Sequence, residues 1–538
     1  METKTLLNMS WPDFLVIAAY LVGIVGLGLW AWGRRKKQQS LSSEYFLAGS
    51  SLRWPVIGLA LFSTNISTTH LVSLAQEGYV NGLAYGNFEW MATFLLIVLS
   101  LFFAPFYIRS RVATLPDFLE KRYNRACRDW LAVLSIISAV FIHIGFSLYT
   151  GALVLKGMFG IDINTSIIIT ALLTGAYTII GGLLAVVMTE SVQTIILILG
   201  SACVLVIGFV AVGGWGGLAA SVEPVKLTVL RTAAETPSLP WYAVLLGYPI
   251  IGLWYWCADQ TIVQRVLGAK DERQARLGPL FAGFIKILPV FLFVLPGLIA
   301  LGLTRQGKLP APANSADIYS VIINNLLPVG LKGLVAAALL AALMSTVSGA
   351  LNSIATLFTL DIYKRWRPET PERKLTLIGR VVTLVAMVAA ILWSPLVSHF
   401  QSIFQGIVAV ICYISPPITA VFLWGVFWKK ASAAAAYATL SLGSGLGLVV
   451  FFMDWFKDKT GWNIPSMMAT FYLFVICSAI LFIVSLKKPQ THTAESSKLV
   501  WTSPLEAVRG RFTAGALDFR IVSAALFAVM VILYIVFA

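Results

Sequence analysis

Apolar runs of about twenty residues recur from residue 11 to the end of the chain, and each is long enough to cross a bilayer as one helix. Runs of that length predict an all-α membrane protein. Composition agrees: hydrophobic residues make up 58% of the 538 and charged residues only 12%, about half the roughly 25% typical of a soluble domain. Spans are predicted near 11–32, 54–79, 84–108, 130–157, 163–180, 186–213, 239–264, 275–304, 330–362, 375–398, 402–427, 431–453, 465–486 and 518–537. That makes about fourteen, in a single transmembrane domain over 1–538 with short loops. The first run is too long for a signal-peptide core and ends in Arg34, Arg35, Lys36 and Lys37, so it reads as a retained span.

The formal charge of +15 would suggest nucleic acid in a soluble chain. Here the basic residues cluster in alternate loops, around 33–53, 109–129, 264–276, 362–380 and 487–520. Roughly three quarters of all Lys and Arg fall on that side, which predicts it to be cytoplasmic, with both termini outside. The short loops point to a bacterial inner membrane. The 487–520 stretch reads as a flexible cytoplasmic linker to the last span, and N-x-S sequons begin at Asn8, on the predicted outer side, and at Asn164, at a span edge. Five scattered cysteines show no disulfide or metal spacing and read as packing residues.

Polar groups at membrane depth are costly, so they mark where function is sought. In the second span, Ser63-Thr64-Asn65-Ile66-Ser67-Thr68-Thr69-His70 interrupts an apolar helix near its middle. Such side chains compete for backbone hydrogen bonds and sustain an unwound turn, whose carbonyls suit a hard cation such as sodium; interhelical hydrogen bonding is the other reading. Ser345 and Thr346, about 100° apart on a helix, could meet the same ion, or mark close helix packing. Trp254-Tyr255-Trp256-Cys257-Ala258-Asp259-Gln260 resembles the wall of a sugar site, with an interfacial aromatic belt as the competing account. Glu89 and Lys286 are isolated ionisable residues within spans, and could hold a polyhydroxylated substrate or each other. No nucleophile–base motif, phosphate-binding loop or metal cluster is visible, which disfavours a membrane enzyme.

Together these segments resemble the sodium/solute symporter family, in its sodium–glucose cotransporter branch. The residues that carry the resemblance are Leu253-Trp254-Tyr255-Trp256-Cys257, Asp259-Gln260 and Ile262-Val263-Gln264-Arg265, supported by Gly181-Gly182-Leu183, Ala341-Ala342-Leu343-Met344-Ser345, Asp361-Ile362-Tyr363 and Phe88-Glu89-Trp90. The resemblance implies a LeuT-type core of two inverted five-helix repeats over about 54–427. One extra helix, 11–32, precedes it and about three peripheral helices follow over 431–537, with binding sites where the first helix of each repeat is broken. Carried over position by position, sodium would be held by the carbonyls of Ser63, Ile66 and Ala342 and the hydroxyls of Ser345 and Thr346. The sugar site would use His70, Glu89, Tyr255 as an inner gate, Trp256 and Lys286.

Two positions depart from the family pattern. Glu190 stands where the family often has an aspartate linked to coupling or a second sodium. The family's sugar-binding glutamine falls on Val408 when counted from Ser415, while Gln405 lies one turn earlier. The function implied is sodium-coupled uptake of a sugar or polyol, with sodium ion, the substrate and the lipid bilayer as partners. Sialic acid, an amino acid or an inositol are the alternative cargoes, and a non-transporting solute sensor is the alternative class.

Overall fold

The computed structural model describes residues 9–33, 41–399, 403–509 and 515–538. Asn8, the basic run 34–37 and the side chain of Gln405 lie outside the described residues. The chain is a bundle of helices whose main members, in order, are α1 (Trp11–Gly33), α2 (Trp54–Asn65), α3 (Thr68–Asn81), α4 (Asn87–Val98), α5 (Arg125–Ser138), α6 (Ser147–Phe159), α7 (Ile163–Val212), α8 (Trp241–Leu253), α9 (Gln260–Leu267), α10 (Glu272–Ile285), α11 (Leu331–Thr356), α12 (Glu372–Trp393), α13 (Ile403–Phe427), α14 (Ala433–Trp455), α15 (Ser466–Lys487) and α16 (Phe519–Val536).

Twelve helical stretches among the described residues are long and apolar enough to span a membrane, so fourteen separate spans are not reproduced as such. The difference lies in how the chain turns. α2 has only 12 residues and completes a crossing only together with α3. α7 has 50 residues, about 75 Å of helix against a hydrocarbon core of about 30 Å. It reverses at Gly182, where φ is 63° and ψ −161°, a combination that is essentially closed to residues with a Cβ. The sequence reading divides α7 at this same place.

At the centre stands α11, in which every residue from Val335 to Thr356 is buried. Helices reach it through small residues, as expected where no hydrophobic effect drives helices together in lipid. α1 is tied to it by Asp13, whose Oδ1 accepts from the N–H groups of Gly330 and Gly333, 2.8 Å each, capping α11 from outside its own segment. At the periphery, α1, α12, α14 and α16 turn Leu15, Val22, Leu377, Val385, Leu448, Val449, Phe527 and Ile532 outward. Exposed apolar surface on this scale has no place in water and is what lipid tails cover.

The stretch after α15 is not the loose linker expected from its polar composition. Trp501 donates its backbone N–H to Val426 O at 2.9 Å and its indole N–H to Phe102 O at 3.0 Å. Ser496 receives the guanidinium of buried Arg122, which also donates to the carbonyls of Gly425, Trp428 and Ala431. Those carbonyls lie at or just beyond the C-terminal end of α13 and have no partner within that helix, so a cation there is stabilising.

The Gly182 turn gives a direct test. A Cβ at this position meets the carbonyl and ring of Tyr45. Gly182→Ala therefore costs at least about 2 kcal/mol, seen as a lowered melting temperature of the detergent-purified protein, whereas Gly26→Ala, where a Cβ meets nothing within 4 Å, leaves it unchanged.

Candidate functional site

Two crossings of the bundle are interrupted at membrane depth. α2 ends at Asn65, and Ile66 and Ser67 are extended (φ −81°, ψ 108° and φ −100°, ψ 171°) before α3 begins. α8 runs into a π-helical turn, Trp254–Ala258, and stops at Asp259 (φ −89°, ψ 123°) before α9 begins. Each interruption exposes carbonyls and N–H groups that lipid cannot satisfy, so they must be met by protein, water or ligand.

The first interruption faces α11. Ser345 Oγ lies 2.8 Å from Ser63 O and 3.1 Å from Ala342 O. Thr346 Oγ1 lies 3.2 Å from Ala342 O, 3.2 Å from Thr64 O and 3.5 Å from Ile66 O. All five oxygens expected around sodium (Ser63, Ile66, Ala342, Ser345 and Thr346) thus converge on one spot, joined by Thr64 O, which the sequence reading did not include. In the structure the hydroxyls donate to the carbonyls. Every atom of the set is oxygen, the donor type that hard cations prefer.

Beside this cluster is a cavity of about 160 Å³, small against the roughly 300–1,000 Å³ of sites for drug-sized ligands. His70, Glu89, Tyr255, Trp256 and Lys286 all line it, as expected, together with Asn65, His143 and Thr346. Lys286, 1% exposed, places its Nζ on both Glu89 Oε2 and Asn65 Oδ1. Asn65 in turn donates to Tyr255 Oη at 3.1 Å, and Lys286 sits 5.7 Å from the centre of the Trp256 ring. The Ser67 N–H donates to His70 Nδ1 at 3.2 Å. An Nδ1 that accepts leaves the proton on Nε2, which points at Glu89 Oε1 3.9 Å away. The cavity therefore offers a donor at His70, an acceptor at Glu89, an ammonium between Glu89 and Asn65, and an aromatic face at Trp256, with no net charge.

Glu190, Asp259 and Gln260 lie outside this cavity, Glu190 having been expected in coupling rather than in the sugar site. Glu190 is fully buried, its two oxygens held by Arg265 (2.5 and 3.2 Å) and Thr64 Oγ1 (2.9 Å). Asp259 and Gln260 do not form its wall: Asp259 Oδ2 pairs with His143 Nε2 at 3.2 Å, and Gln260 accepts from Leu115 N at 2.8 Å. At the glutamine position Val408 lines the cavity, while the Gln405 side chain lies outside the described residues. Asn65 and His143 were not singled out beforehand. Asn65 was legible as part of the polar run, but His143 sits alone among apolar neighbours and gives no signal in one dimension.

Comparison with known proteins identifies the family and the fold. The model of the sodium:solute symporter family matches residues 45–443. The sodium/glucose cotransporter 4 of Danio rerio is 34% identical over 484 residues, covering 84% of this chain and 73% of that protein. The sodium/myo-inositol cotransporter 2 of Sus scrofa is 34% identical over 486 residues, covering 84% and 72%. Among solved structures, a Na+-coupled sialic acid symporter in a substrate-bound outward-open state superposes with a TM-score of 0.78 at 21% identity, covering 90% of this chain and 100% of that one. That likeness shows the fold, and bears out the all-α inverted-repeat architecture.

The Glu89–Lys286 pair gives a test that needs no substrate. Removing one partner strands a buried charge, so Lys286→Met costs about 3–5 kcal/mol. The double change Glu89→Gln with Lys286→Met recovers most of that loss, measured as thermal denaturation in detergent.

Proposed function

Since the chain belongs to the sodium:solute symporter family, we propose that it is a sodium-driven symporter that imports a sugar or related polyol. The observation that carries this reading is Thr346, which belongs both to the oxygen cluster and to the lining of the cavity. Asn65 and His70 flank the same interruption whose carbonyls make up that cluster. A cation that pins α11 to the α2–α3 break therefore also sets the hydrogen-bonding groups of the cavity.

The mechanism is alternating access. Sodium enters from outside, replaces the hydroxyl-to-carbonyl hydrogen bonds of Ser345 and Thr346, and fixes the break. Asn65 and His70 then stand where a substrate hydroxyl can use them, while Glu89 and Lys286 hold further hydroxyls and Trp256 meets a C–H face. Sodium must bind the two conformations unequally for the coupling to work. A membrane potential contributes about 2.3 kcal/mol per charge per 100 mV to inward movement. A neutral substrate follows from the neutral sum of the cavity, since a carboxylate cargo would meet Glu89. Glu190, neutralised by Arg265, acts in coupling through Thr64, the residue between two sodium-ligand carbonyls. Gln405 supplies a further contact to the sugar from α13.

The rest of the reading is part of the same proposal: one transmembrane domain, with its core over about 54–427, in a bacterial plasma membrane, both termini outside, transporting without chemical change and binding no nucleic acid. Tyr255 serves as the aromatic gate on the side of the cavity toward α9.

The test is uptake of radiolabelled hexoses and inositol into proteoliposomes, with and without an inward sodium gradient. One compound accumulates at least tenfold more with the gradient, and Ser345→Ala raises the sodium concentration for half-maximal uptake about tenfold or more, the equivalent of about 1.4 kcal/mol. Gradient-independent uptake, or none of any sugar or polyol, overturns the assignment.

A further inference from the structure

At the end of the cavity nearest α9 lies a pair of ionisable groups that the sodium and substrate readings do not use. His143 is 7% exposed and lines the cavity, and its Nε2 lies 3.2 Å from Asp259 Oδ2. Asp259 is 6% exposed and sits on the extended residue that interrupts the second broken crossing. Its other oxygen, Oδ1, accepts from Ile262 N at 3.3 Å and so caps α9. The carboxylate thus has one hand on the helix that follows the break and the other on a different crossing. His143 belongs to a π-helical departure from regular helix, Ala139–Phe146, and Asp259 directly follows another, Trp254–Ala258. Such departures concentrate at functional positions.

We propose that His143 and Asp259 form a proton-binding site that locks this end of the cavity shut. With the imidazole neutral, Nε2–H donates to the carboxylate. A proton taken up from water at Nδ1 turns the same contact into an ion pair in a site shielded from solvent, where breaking it strands two charges. Movement of α9 away from α5 and α6 breaks the Oδ2 contact while leaving the Oδ1 cap intact. Opening toward α9 is therefore faster when His143 is neutral, and the bound proton holds the cavity closed.

The surroundings leave the imidazole few other partners. Tyr255, whose ring centre is 6.0 Å from that of His143, comes from the same broken crossing as Asp259. Across the cavity stand His70 and the mutually neutralised Glu89 and Lys286. Arg265, further along α9, is taken up by Glu190. Among the described residues the neighbouring helices α11, α12 and α13 contribute Thr346, Trp393, Ile407 and Ile411, none of them charged.

The proposal rests on the symport reading for its transport consequence, and the experiment separates the two. Initial sodium-driven uptake into proteoliposomes is measured at pH 6 and pH 8, with the same pH on both sides. The natural protein gains at least about threefold at pH 8. His143→Gln, which cannot take up the proton, abolishes that gain and has one rate at both pH values. His143→Lys, which keeps a permanent cation against Asp259, also has one rate, equal to or below that of the natural protein at pH 6. A pH gain retained in His143→Gln assigns the titration elsewhere, His70 included, and overturns the proposal, as does a natural protein with no gain. Hydrogen–deuterium exchange of segment 254–267 in the full-length proteins, compared at equal pH, reads the lock without transport. His143→Lys is expected to exchange at least threefold more slowly than His143→Gln. Equal exchange in the two variants overturns the lock even if uptake is sodium-driven. Slower exchange in the lysine variant of a protein that takes up no solute keeps the lock and sinks the symport reading instead.

Discussion

The structure depends on one constraint: a backbone broken inside a membrane must find partners for its carbonyls and N–H groups without water. α2 stops at Asn65 with two extended residues before α3, and its freed carbonyls at Ser63, Thr64 and Ile66 are met by Ser345 and Thr346 of α11. That meeting requires α11 to pass close by, fully buried, with small residues around the hydroxyls. It also makes the break responsive, because the same oxygens that satisfy one another can satisfy a cation instead. Regular helix elsewhere in the bundle has no such freedom.

Around the two breaks, buried charges are arranged in pairs that each bridge separate crossings. Lys286 reaches Glu89, Arg265 reaches Glu190, and His143 reaches Asp259. Buried pairs of this kind give little net stability, since desolvation offsets most of the attraction, but breaking one is expensive. They hold the neighbouring helices in definite relation rather than adding to overall stability. Of the three, Lys286–Glu89 lies in the cavity itself, Arg265–Glu190 stands behind the oxygen cluster through Thr64, and His143–Asp259 joins the π-helical stretch before α6 to the residue that caps α9.

Much of this was legible in the chain. The polar run at 63–70 announced a break because eight mostly polar residues have no reason to sit in lipid, and the resemblance singled out Ser345 and Thr346, which lie against that break, and Glu89 and Lys286, which line the cavity. Asp259 and Gln260 were read as wall because they follow three aromatics, yet the extended backbone at 259 swings both side chains away from the cavity. The polar stretch after α15 was read as loose because composition cannot reveal that Arg122 is held by Ser496 and the carbonyls around the end of α13. The reversal inside α7 was legible as well, since the expected spans 163–180 and 186–213 part on either side of Gly182.

By itself the sequence determined the class of the molecule, the approximate placement of its helices and where the polar break in the second crossing falls. Those follow from hydropathy and from local competition between side chains and backbone, which operate over a few residues. Tertiary structure alone decided which charges meet. Glu190 and Arg265 are 75 positions apart, Lys286 and Glu89 are 197 apart, and His143 and Asp259 are 116 apart. A carboxylate is free, a ligand or a lock according to which cation stands within about 4 Å of it, and that distance is set by helices crossing, not by spacing along the chain.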